Sequence, residues 1–342
     1  MANPPSEAVS LYSFRFLRHY DSMSRRRVSI RTALQGRIPA GAKVLVAVSG
    51  GRDSVVLLHG LLQVQRLMKL SLEVCHIDHG FRSSSGDDAL FVESLCRERR
   101  VLCHVVRLPP KPEGENLEAW ARQSRYREFS RVLQERGLDL VVTAHNANDV
   151  AETLLMRLIA NKELNSIEEF DPERRCLRPL MGISRDQIDR YVVEHQLSYV
   201  EDPSNAELSF VRNRVRHRLL PLLVEDFDSS VVWTLSEQAQ AFAEDCDALQ
   251  GVARHVSDRI GPVEQSSSSW LARCRAELQG VPAGVQWRVV QFLFSPLVGF
   301  PIGRNKARAI QVVLEGQRRS VLLDARTELT WSGSGVRCAA RG

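Results

Sequence analysis

The chain has 342 residues, 44% hydrophobic and 25% charged, with a formal net charge of +5. That length exceeds one typical domain and predicts two or three. Ordinary composition and the lack of any run of 18 apolar residues exclude a membrane span, and the mild basic excess suits a nucleic-acid partner without requiring one.

Residues 1–40 carry seven arginines against Glu7 and Asp21. They are expected as a basic extension, disordered or partly ordered. The composition is weakly like an organelle transit peptide; a basic tail on nucleic acid and a true start at Met23 are the alternatives. From residue 43 the pattern alternates. Strands are predicted over 43–48, 71–77, 102–108 and 138–144. Helices are predicted over 54–67, 87–100, 116–136 and 149–160. On the second helix Leu90, Phe91, Ser94 and Leu95 are expected to share one side. This alternation predicts a doubly wound parallel sheet, with ligands at the carboxyl ends of its strands. Residues 161–177 lose periodicity and read as a loop. Helices follow over 184–195 and 211–223, then a third region from about 230, helical to about 315. It ends in strand candidates at 320–323 and 328–331. The seven cysteines, Cys75, Cys96, Cys103, Cys176, Cys246, Cys274 and Cys338, contain no Cys-x-x-Cys pair. They are expected as reduced thiols in a cytoplasmic protein, not as a zinc or iron–sulfur site.

The first strand runs into Ser49-Gly50-Gly51-Arg52-Asp53-Ser54. Glycines at a strand-to-helix turn let backbone approach an anion, and the N–H groups of the first helical turn point at it. No Gly-Lys-Ser/Thr follows, so this is not a Walker A loop. It resembles the pyrophosphate loop of the N-type ATP pyrophosphatases, which split ATP between its α and β phosphates.

Further polar clusters sit at later strand ends. His76-Ile77-Asp78-His79-Gly80 could hold a metal or line the nucleotide pocket. Arg122, Arg125 and Tyr126 stand at i, i+3 and i+4, on one helix face. His145 lies at a strand end. Asp149 and Glu152 have the spacing of an N-cap and its N3 partner. Arg212, Arg214, Arg216 and Arg218 alternate with no acid among them, which points to a polyanion contact. Residues 300–342 hold eight Lys and Arg against three Asp and Glu, again suited to RNA.

In order, the segments Ser-Gly-Gly-x-Asp-Ser, His-x-Asp-His-Gly-x-Arg, Asn-x-Glu-Ala-x-Ala-Arg-x-x-Arg-Tyr, Thr-Ala-His, Asp-x-x-Glu-Thr, Arg-Pro-Leu, Glu-Asp-Pro-Ser-Asn and Arg-Asn-x-x-Arg resemble the tRNA(Ile)-lysidine synthetases. They span roughly residues 43–223. The resemblance implies an adenine nucleotide alpha hydrolase-like α/β domain over 41–225. It also implies a helical linker and a small α+β C-terminal tRNA-binding region over 226–342. The implied reaction uses ATP and Mg²⁺ to adenylate the C2 oxygen of the wobble cytidine in a CAU-anticodon tRNA(Ile). L-lysine then displaces AMP to give lysidine. The implied roles are ATP binding by Ser49, Gly50, Gly51, Arg52, Asp53, Ser54 and His79, with Asp53 near Mg²⁺. Asp53, His145, Asp149 and Arg212 would be catalytic, Asp149 as a holder of the lysine ammonium. Arg122, Arg125, Tyr126, Arg214, Arg216 and Arg218 would bind substrate or tRNA. A homodimer is left open. The chain departs from the family at Asn148, where an acid is usual, and at 160–165, where an Arg-Gly-Ser/Thr-Gly loop is usual. The rivals are a tRNA thiolase, which would need paired cysteines, and a tRNA-binding homologue without catalysis.

Overall fold

The computed structural model describes residues 28–80, 85–114, 116–164, 167–201, 207–324, 327–332 and 335–340. Most of the basic extension (1–27), Phe81 and Arg82, and residues 202–205 of the Glu-Asp-Pro-Ser-Asn segment lie outside the described residues. The chain divides into two compact units, the first ending at Gln240 and the second beginning at Ala241. No helix among the described residues is long and apolar enough to cross a membrane.

The first unit is built on a six-stranded sheet in the order β3-β2-β1-β4-β6-β5. Its strands are β1 (Lys43–Ala47), β2 (Ser71–Asp78), β3 (Leu102–Arg107), β4 (Leu140–Val142), β5 (Phe170–Asp171) and β6 (Cys176–Leu177). All pairings are parallel except β5 with β6. Val44, Leu45 and Val46 are all fully buried, and alternation sends them to opposite faces. Val44 and Val46 join a core with Leu34, Leu57 and Leu61, while Leu45 joins Trp120, Phe129 and Leu133. The two cores are supplied from opposite sides by α2 (Arg52–Met68) and α4 (Leu117–Arg136), as a doubly wound fold requires.

The structure refines several expectations. The stretch 161–177 is not all loop: β6 pairs with β4 and extends the sheet, and β5 folds back on it. Two-residue strands are too short to show periodicity. Within the expected extension, α1 (Ile30–Arg37) is capped by the Ser29 hydroxyl and buries Ile30, Ala33 and Leu34. In α3 (Ser85–Arg99), Val92 and Cys96 face inward while Leu90 is 64% exposed. The helix expected over 149–160 starts earlier, as α5 (Ala147–Ile159).

After α6 (Arg185–Glu194), the basic segment forms α7 (Val211–Arg214), a π-turn at Val215–Leu219, and α8 (Leu220–Asp226). The unit boundary falls within α9 (Val231–Ile260). The second unit adds α10 (Ser268–Gln279), α11 (Ala283–Val298) and α12 (Arg304–Leu314). Its antiparallel sheet comprises β7 (Ser320–Leu322), β8 (Thr327–Trp331) and β9 (Val336–Ala340). The strand β9 was not expected. Its core packs Trp270 edge-on to Phe294, with centroids 6.4 Å apart, above Val290, Ile310 and Leu329.

Candidate active site

Sheet order reverses at β1, which lies between β2 and β4. The loops leaving β1 and β4 therefore flank the switch point, where such sheets bind ligands. After β1, Gly50 has φ +89°, a left-handed value that favours glycine. The Ser54 hydroxyl donates to the Gly51 carbonyl at 2.7 Å and accepts from the Ser49 N–H at 3.2 Å. The Gly51 N–H donates to Ser49 Oγ at 3.3 Å. Both serines thus hold the shape of the turn. The N-cap of α2 is Gly51, with no side-chain cap, so this helix start is open to an anion.

Asp53, in the first turn of α2, reaches across the switch point. Its Oδ2 accepts from Asn146 Nδ2 at 2.9 Å. Its Oδ1 lies 3.6 Å from Arg52 Nε, buried and with no hydrogen bond among the described residues. Burial, and next the charge of Asp149, hold the Asp53 carboxyl above its usual value, against Arg185, Arg52 and Arg216. Arg52 itself reaches Asp189 of α6 at 2.5 Å. No three His, Cys, Asp or Glu side chains converge as a metal site among the described residues. The orphaned Asp53 oxygen fits a single bond to Mg²⁺, a cation that usually keeps water and phosphate oxygens as its other ligands.

The capping box of α5 is Asn146 with Asp149, not Asp149 with Glu152. The Asn146 side chain accepts from the Asn148 and Asp149 N–H groups, and Asp149 Oδ2 accepts from the Asn146 N–H at 3.0 Å. Asn148, at the family's acid position, accepts from the Arg185 N–H at 2.8 Å. Glu152 is instead fully buried at the centre of an ion cluster. It accepts from Arg212 Nε at 3.0 Å, from Arg216 Nε at 2.7 Å and Nη2 at 3.0 Å, and from Arg185 Nη1 at 3.4 Å. Asp149 Oδ1 accepts from Arg212 and Arg216, each at 3.1 Å. The four arginines expected to share a polyanion contact therefore divide. Arg212 and Arg216, one turn apart, face acids that α5 supplies. Arg214 donates to the carbonyls of Leu208 and Ser209, and Arg218 is exposed.

A second group lines the other side of the β4 loop. His145 Nδ1 bonds Thr143 Oγ1 at 2.9 Å. Burial first, then Arg178, Arg125, Arg212 and Arg122, hold His145 well below its ordinary value, so it is neutral at physiological pH. Tyr126 is buried under three guanidiniums, those of Arg174, Arg122 and Arg125, at 5.0, 5.2 and 5.5 Å from its ring centroid. Arg178 donates to the Tyr126 hydroxyl at 3.4 Å. His79 is pushed down to about 4 by burial, Arg125 and His76. His76 donates from Nδ1 to the Val48 carbonyl at 2.8 Å, tying β2 to the loop. Sequence reasoning missed the roles of Asn146, Glu152, Arg178 and Arg185. Asn146 carried a signal in its three-residue spacing to Asp149, and Glu152 and Arg178 lie in the Asp-x-x-Glu-Thr and Arg-Pro-Leu segments.

Residues 25–223 match the model of the PP-loop domain. A tRNA(Ile)-lysidine synthase of Gloeobacter violaceus is 37% identical over 240 residues, covering 68% of this chain and 71% of the relative. The chain belongs to the tRNA(Ile)-lysidine synthase family. Another lysidine synthase, from Symbiobacterium thermophilum, is 37% identical over 247 residues, covering 69% of this chain. This chain spans about half the length of that relative, 51%. Among solved structures, the U34-tRNA thiolase NcsA from Methanococcus maripaludis aligns with a TM-score of 0.55 at 17% identity. The alignment covers 63% of this chain and 78% of that one; it shows a shared fold. The turn from Ser49 to Ser54 lies within the residues that match the PP-loop domain.

Proposed function

We propose that the protein is a carbon–nitrogen ligase that joins L-lysine to C2 of the wobble cytidine of a CAU-anticodon tRNA(Ile), in the cytoplasm, converting ATP to AMP and diphosphate. The observation that carries this reading is the Asp53 carboxylate. It stands at an uncapped helix N-terminus, is oriented by Asn146, and has one oxygen left for a ligand.

In the first step the C2 oxygen attacks the α-phosphorus and diphosphate leaves. The N–H groups at the start of α2 hold that leaving group, and Arg52 offsets its charge. Asp53 is the residue that would hold Mg²⁺, which when bound would neutralise charge at the bond that breaks. In the second step the uncharged ε-amine of lysine attacks C2 and sheds a proton. The C–O bond breaks and the oxygen departs on AMP. Arg122 and Arg125 present positive charge to the nucleotide and the tRNA backbone, while buried Arg178 holds the Tyr126 hydroxyl. Neutral His145 offers a hydrogen bond without adding to that charge. Both Asp149 oxygens are engaged, so a lysine ammonium held there competes with Arg212 and Arg216.

The test incubates purified protein with a CAU-anticodon tRNA(Ile) transcript, ATP, Mg²⁺ and labelled lysine. Label enters the tRNA only with ATP and is lost when the wobble cytidine becomes uridine. AMP without label refutes lysine as the nucleophile. Neither label nor AMP refutes catalysis.

A further inference from the structure

A cleft of about 680 Å³ opens at the edge of the sheet, and of its lining only His79 belongs to the site described above. That volume lies within the roughly 300–1,000 Å³ of small-molecule sites. Its walls come from the ends of β2 and β3 and the start of α4. They include His79, Arg107, Pro109, Pro110, Lys111 and Leu117. Three features point to one ligand chemistry. Pro109 and Pro110 are exposed and Leu117 is 47% exposed, so apolar surface faces the opening. The Arg107 side chain is 80% exposed, with its nearest carboxylate, Asp78, at 3.8 Å. Lys111 Nζ donates to the Pro112 carbonyl at 2.8 Å, and its side chain lines the same cleft. Flat apolar walls with two cations at the rim match a base and its phosphate. The cleft also meets the active site at His79, on which the Arg125 charge acts.

Resting on the tRNA reading above, we propose that this cleft holds an RNA nucleotide adjacent to the reacting cytidine, its base against Pro109, Pro110 and Leu117 and its phosphate on Arg107 and Lys111. Single-stranded loops splay their bases outward and are read by such pockets. A neighbour fixed here orients the wobble base over the α-phosphate, because anchoring one nucleotide restricts the direction of the one joined to it.

Two measurements on the full chain test this. The first is filter binding of the tRNA transcript and of ATP to the wild type and to an Arg107→Ala/Lys111→Ala double variant. Neither residue is buried, so the variant is expected to fold, and a thermal melt checks it. The expected result is a tRNA Kd raised about tenfold and a log–log salt slope reduced by about 0.7, for the one single-strand phosphate the two residues share. The ATP Kd stays unchanged. The second measurement irradiates transcripts carrying 4-thiouridine on either side of the wobble position, and cross-links are expected within residues 107–117. If the wild type binds tRNA and the double variant binds it equally, or cross-links map elsewhere, the proposal is overturned. A parallel loss of ATP affinity also overturns it, because the cleft then serves the nucleotide triphosphate. A wild type that binds no tRNA overturns the underlying functional reading as well.

Discussion

Replacing Glu152 by Gln removes one charge from the ion cluster while keeping its shape. The carboxylate is fully buried and accepts three hydrogen bonds of 3.0 Å or less from two guanidiniums, plus one of 3.4 Å from Arg185. Losing one partner of a buried ion pair costs about 3–5 kcal/mol, because the remaining charges are left uncompensated. The Arg212, Arg216 and Arg185 side chains are 39%, 20% and 18% exposed, so water screens part of the loss. The low end, about 3 kcal/mol, is therefore expected. At about 2–4 °C for each kcal/mol in a unit of this size, Tm falls by about 6–12 °C. Thermal unfolding followed by circular dichroism at pH 7 reads this directly. Adding Arg216→Met removes the surplus cation, so the double variant should be less destabilised than the sum of the singles. A fall of under about 2 °C for Glu152→Gln, or strict additivity, refutes the idea that Glu152 holds the cluster together.

Asp53→Asn should abolish ATP–diphosphate exchange while leaving tRNA binding intact, and it should raise Tm at pH 7. Burial and Asp149 raise the folded carboxyl above its unfolded value of 3.8, so ionised Asp53 destabilises the fold at neutral pH. That penalty fades as pH falls through the folded value, and the Tm gain of the variant should fade with it. Surviving exchange would remove Asp53 from the mechanism. His79 and His145 act in the opposite window. Both are held below 6.5, so the unfolded chain takes up protons that the folded chain refuses, and stability declines as pH falls from about 6.5 toward 4. His79→Asn should shrink the loss of Tm between pH 7 and 4.5; an unchanged loss would show that His79 titrates normally. Leu34→Ala should cost about 2–5 kcal/mol in a denaturant melt, because Leu34 is fully buried in the sheet core. A loss under about 1 kcal/mol would mean that α1 is peripheral to that core.

Local chemistry made much of this protein legible in its sequence. The alternation of strands and helices announced a parallel sheet, because each buried strand must be apolar and each crossover amphipathic. The turn from Ser49 to Ser54 announced a tight strand-to-helix junction, and the structure has there a left-handed Gly50 and a helix start with no side-chain cap. The pairings that give Glu152, Arg212 and Arg216 their roles lay beyond that reach. Sixty residues separate Glu152 from Arg212, and only the packing of α7 on α5 brings the acid to an arginine run that looks unpaired in sequence. The edges were hidden for a related reason. β5 and β6 are two residues each, and exist only because β4 offers a free edge for pairing. Periodicity reports which residues a segment buries; it does not report which charge another segment will bring to meet them.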